Sequence, residues 1–151
     1  MTKVAIEVLE NDQLTNAGNG GNLTETGNRQ NEAGFAFFNS AANGIGAVSL
    51  VSKVPNPIRP AAKMAEVQSA GNDELGRVPP ILLASSDADE FCKRNGFFDE
   101  QLEISKKSIK TFQKYRTLLR GKADRDENDD GEPSAKVIKT SDTVGAIAIL
   151  G

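Results

Sequence analysis

The sequence predicts a layered α/β (α+β) fold, on three observations. Three short runs, Gly44–Ser52, Ile81–Ala84 and Thr143–Leu150, are apolar at even and odd positions alike, the pattern of strands covered on both faces. Segments with apolar residues at helical spacing alternate with them, at Val4–Leu9, Ile58–Ser69, Ser86–Cys92 and Ser105–Leu119. Aliphatics and phenylalanine must build the core, because aromatics are 5% of the chain and tryptophan is absent.

Val4, Ala5, Val8 and Leu9 form the stripe of the first helix, which starts with its repeat already running and reads as the tail of a longer one. Asn11–Asn31 follows and contains Thr15-Asn16-Ala17-Gly18-Asn19-Gly20-Gly21-Asn22-Leu23. Asn and Gly favour turns and left-handed backbone, so this is a long loop, either functional or disordered. In Gly44–Ser52 the glycines at 44 and 46 imply close backbone approach. Asn56-Pro57 reads as N-cap and first-turn proline of a helix whose inner face is Ile58, Ala61, Ala62 and Ala65, with Pro60 still in the first turn.

Val78-Pro79-Pro80 leads into the strand Ile81–Ala84. Ser86 and Asp89 have the spacing of a capping box, Ala88, Phe91 and Cys92 share a face, and Gly96 suits the residue just past a helix end. Cys92 is read as a core residue. Ile104, Ile109, Phe112 and Tyr115 are available to seat the helix Ser105–Leu119. Gly121–Ser141 is charged and aperiodic, the composition of a disordered excursion. Thr143–Leu150 is the closing strand, and its two apolar faces imply covering elements.

Composition removes several classes of function. At 151 residues the chain suits one domain, on a prior of roughly 100–200 residues each. With one cysteine there is no disulfide framework. With no histidine there is no His-ligated metal and no Ser-His or Cys-His nucleophile pair. No metal and no cofactor are expected. Mean hydropathy is -0.40 and no apolar run approaches the roughly 18 residues of a spanning helix, so no membrane partner is expected. No apolar leader follows Met1, which points to a cytoplasmic or nuclear protein. A net charge of -3 argues against a nucleic-acid partner. Seven cations from Lys106 to Lys122 are followed by six acids from Asp124 to Glu132, a self-compensating surface excursion.

Three segments together carry a resemblance. Thr15-Asn16-Ala17-Gly18-x-Gly20-x-Asn22-Leu23 resembles the TNAGxGxNL segment of the asparaginase/isoaspartyl peptidase family of N-terminal nucleophile hydrolases. Gly46-Ala47-Val48 with Asn56-Pro57-Ile58 is similar to the strand and helix start that follow it there. Asp142-Thr143-Val144-Gly145-Ala146-Ile147 resembles the family's self-cleavage and nucleophile motif. Order and spacing agree over nearly the whole chain. Within the family, Gly76-Arg77-Val78-Pro79-Pro80, the charged excursion and Asp142 look like the threonine aspartase (taspase) branch. Plant-type and bacterial asparaginases usually carry Gly before the Thr, and the glycosylasparaginases are secretory and disulfide-bearing. One departure stands out: Asn31-Glu32-Ala33-Gly34 occupies the place of a Cys-Asp-Ala-Ser type strand, followed by an unfamiliar Phe35–Asn43.

The resemblance implies an αββα sandwich, represented here mainly by its α-subunit half. Residues 1–142 are then the α-subunit-like region, including the excursion 121–141, and 143–151 the start of the β-subunit strand. It implies that Thr143 is the nucleophile, with its own α-amine as base once the Asp142–Thr143 bond is cut. The unperturbed amine pKa of about 7.7–8.0 suits that task near neutrality. It further implies that Asn16, Gly18, Gly20 and Asn22 shape the floor near the nucleophile, and that the substrate is a peptide or protein with Asp at the cut. The supporting Thr/Ser, Arg, Asp and Gly-Gly groups of the β-subunit have no counterpart in this sequence. A polypeptide of these residues alone is therefore expected to stay uncut and inactive, with a β-subunit or a homologue as partner. Other readings are an asparaginase, isoaspartyl peptidase or glycosylasparaginase activity, a non-catalytic remnant regulating a homologue, and an interaction module using the basic helix Lys106–Arg120.

Overall fold

The computed structural model describes residues 2–126 and 144–149. Helix α1 spans Thr2–Asn11, and a single 3-10 turn forms at Gly18–Gly20. Strands β1 (Asn31–Phe38) and β2 (Asn43–Val51) lead into α2 (Ile58–Ser69). A short β3 (Leu82–Ala84) runs directly into α3 (Ser85–Arg94), and α4 (Lys106–Asp126) comes last. The strands make one sheet in the order β1-β2-β3, antiparallel between β1 and β2 and parallel between β2 and β3. The mixed α/β architecture is the one predicted, corresponding to one sheet and helices of the sandwich.

The core lies on one face of this sheet. Val48, Val51, Val54, Ala61, Ala88 and Cys92 are buried together, with Phe35, Leu83, Phe97 and Phe98 packed around them. Close approach of α2 depends on glycine. A Cβ at Gly46 would run into the backbone of Ala61 and Ala65, and one at Gly44 into the Ala65 carbonyl. The predicted inner face of α2 is the observed one: Ile58, Ala61, Ala62 and Ala65 are all buried. Helix α3 ends as predicted, with Gly96 at φ 71, its N–H on the Lys93 carbonyl and the Phe97 N–H on that of Cys92. This is the Schellman arrangement, and Phe97 packs back on Cys92 as such ends commonly do.

Several expectations change. Strand β1 was not among the predicted strands. Its residues Ala33, Phe35 and Phe37 are half-buried while Glu32, Gly34, Ala36 and Phe38 face out. Nor are β2 and β3 covered on both faces: Ile45 and Leu82 are exposed, as is Phe38 on β1, because no described element lies over the sheet's outer side. Residues 144–149 of the predicted closing strand are described and form no strand, with Ile147 92% and Ile149 90% exposed. Among the described residues no ladder partner pairs with them, and without one an apolar run does not become a strand.

Helix α1 is where expected but rotated. Ile6 and Glu10 are its buried residues, while Val4 and Val8 are 58% and 63% exposed. The predicted caps are replaced too. Asn56 donates its Nδ2 to Asn11 Oδ1 at 3.0 Å rather than capping α2. Ser86 makes no capping bond; Asp89 instead accepts from Ser52 N (3.2 Å) and Ser52 Oγ (2.9 Å), tying α3 to the end of β2. Finally, α4 continues through Asp126, so residues 121–126 of the expected disordered excursion are helical. The rest of the excursion lies outside the described residues. Among the described residues no helix is long and apolar enough to cross a membrane.

Candidate active-site cleft

The Asn16–Asn22 loop is an ordered structure held by hydrogen bonds within itself and to its neighbours. Thr15 Oγ1 donates to the Leu9 carbonyl at 2.6 Å and to that of Asp12 at 3.0 Å, which folds the chain back at the end of α1. Asn16 Oδ1 accepts the Asn22 N–H at 2.8 Å, closing the loop across its mouth. Between them the N–H of Gly20 reaches the Ala17 carbonyl (2.9 Å) and that of Gly21 the Gly18 carbonyl (3.3 Å). Gly18 needs to be glycine twice over. Its φ is +49, and a Cβ there would lie 2.5 Å from the Glu10 carbonyl oxygen. At Gly20 a Cβ would strike the Thr15 carbonyl. The loop expected to be flexible or functional is thus fixed by close backbone packing on α1.

This loop forms one wall of a cleft of about 770 Å³. Helix α1 contributes Ile6 and Glu10, strand β1 contributes Asn31 to Ala36, and Val144–Ala148 complete the lining. Of the predicted site residues, Asn16, Gly18 and Asn22 line it, and Gly20 is buried just behind in the same turn. Asp142 and Thr143 lie outside the described residues. The segment that begins immediately after Thr143 nevertheless shares the cleft with the loop.

Two cleft residues, Asn31 and Glu10, and one behind the loop, Ser108, were not among the predicted site residues. Asn31 is buried and donates Nδ2 to the Gly18 carbonyl at 3.2 Å, joining β1 to the loop. Ser108, buried on α4, donates Oγ to the Gly21 carbonyl at 2.8 Å from behind the loop. Glu10 is only 2% exposed; its Oε1 accepts the Ile58 N–H at 3.1 Å, and Oε2 has no hydrogen-bond partner among the described residues. Burial pushes its carboxyl up from 4.5 to about 7. The Ile58 N–H and Asn56 pull the other way, Glu7 adds to the rise and Arg59 opposes it. A glutamate on a helix's buried face leaves no local sequence signal. For Asn31 there was one, since it stands where the family pattern has Cys.

Asn16 Oδ1 and the Gly18 and Gly21 carbonyls are engaged in hydrogen bonds within the fold. A segment carrying a nucleophile could run along this wall between fixed amides, glycine backbone and one carboxyl that titrates near neutrality. The chain matches the model of the asparaginase family over residues 2–150. It belongs to that family, a class of amidohydrolases of the N-terminal nucleophile type.

Proposed function

We propose that this chain carries the α-subunit part and nucleophile strand of a threonine-dependent hydrolase, with Thr143 as nucleophile. The supporting observation is that the Asn16–Asn22 loop and Val144–Ala148 line one cleft. In this reading Thr143 Oγ attacks the carbonyl of Asp142, and the C–N bond breaks to leave an ester on Oγ and a free Thr143 amine. Water hydrolyses the ester to release the Asp142 carboxylate, and the amine becomes the base for later turnovers. No histidine is needed, and none is present. Asn16, Gly18, Gly20 and Asn22 hold the wall against which the nucleophile strand lies.

Among family activities, Asp142 before the nucleophile and Gly76-Arg77-Val78-Pro79-Pro80 favour a threonine aspartase acting on a peptide or protein with Asp at the cut, in the cytoplasm or nucleus. An asparaginase or isoaspartyl peptidase is the alternative. The uncovered outer face of the sheet, with Phe38, Ile45 and Leu82 exposed, favours a partner there, either a β-subunit or a homologue. The same face also suits a non-catalytic remnant that binds an intact homologue.

The test is hydrolysis by this chain complemented with the β-half of an asparaginase-family enzyme, comparing an Asp-containing peptide, a β-aspartyl dipeptide and asparagine. Turnover of the Asp peptide that disappears in Thr143→Ala is expected. Preference for asparagine or the β-aspartyl dipeptide would replace the aspartase assignment. Turnover that survives Thr143→Ala would overturn the nucleophile assignment.

A further inference from the structure

One turn of α4 grips both ends of the cleft loop from behind. Lys107 Nζ donates to the carbonyls of Gln13 at 2.5 Å and Leu14 at 2.9 Å, just before the loop begins. The adjacent residue, Ser108, donates Oγ to the Gly21 carbonyl at 2.8 Å, where the loop ends. That turn is itself fixed: Ser105 Oγ accepts the Ser108 N–H at 3.0 Å and lies 2.8 Å from Ser108 Oγ. One turn further on, Phe112 is seated against Gly27, where an added Cβ would lie 3.2 Å from its ring. From Gln113 to Gly121 every residue of α4 is exposed, so the helix is anchored to the body at this N-terminal end.

We propose that Lys107 and Ser108 are positioning residues of the cleft. Adjacent on one rigid helix, they fix the separation of the two ends of the Asn16–Asn22 loop, and through it the Asn16–Asn22 hydrogen bond. Lys107 acts through a charge-assisted bond shared between two carbonyls, and Ser108 satisfies the carbonyl of buried Gly21. For its bearing on cleavage at Asp142–Thr143 this proposal rests on the function proposed above; for the shape of the loop it does not.

Amide hydrogen exchange separates the two. The N–H groups of Gly20, Gly21 and Asn22 are all hydrogen-bonded within the loop and report its closure. In Lys107→Met these amides should exchange about tenfold faster while those of β2 and α2 keep their protection. Lys107→Arg, which can still bridge two carbonyls, should restore the slow rates. Ser108→Ala should speed Gly21 and Asn22 in the same way, but a buried position risks misfolding, so exposed Lys107 carries the test. Unchanged loop amides in Lys107→Met would overturn the proposal, as would acceleration spread equally over β2 and α2. In the complemented protein, Lys107→Met should slow the Asp142–Thr143 cut and Lys107→Arg restore it. A wild-type protein that never cuts defeats the functional reading and leaves the exchange result to decide the positioning role.

Discussion

The carboxylate of Glu10 caps a helix other than its own: Oε1 accepts the N–H of Ile58, the first residue of α2, at 3.1 Å. Glu10 therefore joins three elements at one point, since Gly18 packs on its backbone and α2 starts on its side chain. A carboxylate at a helix N-terminus is favourable, but burial penalises its charge. The two effects meet in a carboxyl that titrates at about 7.

Between pH 4.5 and 7 the folded state keeps a proton on Glu10 that the unfolded chain has released. Stability from this group is thus fully present below about 4.5, falls as pH rises through the window, and is level above 7. At about 1.4 kcal/mol per pKa unit, the upper limit is on the order of 3 kcal/mol. Glu10→Gln should lack this component. In urea unfolding, the difference between wild type and variant should shift in the variant's favour from pH 4.5 to 7 and then stay constant. Parallel pH profiles for the two proteins would contradict it.

The glycines divide into those the fold requires and those it does not. Gly18→Ala combines a left-handed backbone with a collision on Glu10 and should cost about 2–4 kcal/mol. Gly46→Ala pushes α2 off β2 and should cost about 1–3 kcal/mol. Gly34→Ala, with open space around it, should stay within about 0.5 kcal/mol of wild type or stabilise the strand. Equal losses at all three positions in thermal unfolding would refute this division.

Asp89 and Ser86 distinguish the observed tie from a local cap. Asp89→Ala removes both acceptors of Ser52 and should cost about 1–3 kcal/mol, whereas Ser86→Ala should be nearly neutral. The opposite ranking in chemical denaturation would restore the capping box.

Cys92 is buried in the core, and burial pushes its thiol up to about 12, with Asp89 adding to the rise. The native protein should resist a thiol reagent at pH 8 and react once unfolded, making labelling a probe of global opening. Stoichiometric labelling at the rate of a free thiol in native buffer would show that the site opens locally.

Some of the local signals were read correctly, though the α1 stripe and the Asn56 and Ser86 caps were not. The inner face of α2 announces itself by spacing, Gly44 and Gly46 by their place in an apolar strand, and the end of α3 by Gly96. What failed depends on partners distant in sequence. The Glu10 and Asp89 carboxylates act on residues 48 and 37 positions away, so no short motif could reveal them. Strand β1 was obscured because its outward residues Gly34, Ala36 and Phe38 are not polar, which erases the alternation that marks a half-covered strand. The cleft loop was legible only as a family pattern. Composition suggested flexibility, whereas the hydrogen bonds and glycine contacts that fix it depend on α1 and α4.

We propose Thr143 as the nucleophile at the head of the segment that lines the cleft with the Asn16–Asn22 loop. Intact-mass measurement near pH 7.5 tests it most directly, on the 151-residue chain alone and after complementation with a β-half. Alone, the 151-residue polypeptide is expected to remain at full mass, since each oxyanion donor missing from such a site costs roughly 100–1,000-fold. Complemented, it should split between Asp142 and Thr143, and Thr143→Ala should stay whole. A complemented protein that remains intact, or a split that persists without the Thr143 hydroxyl, would contradict the account.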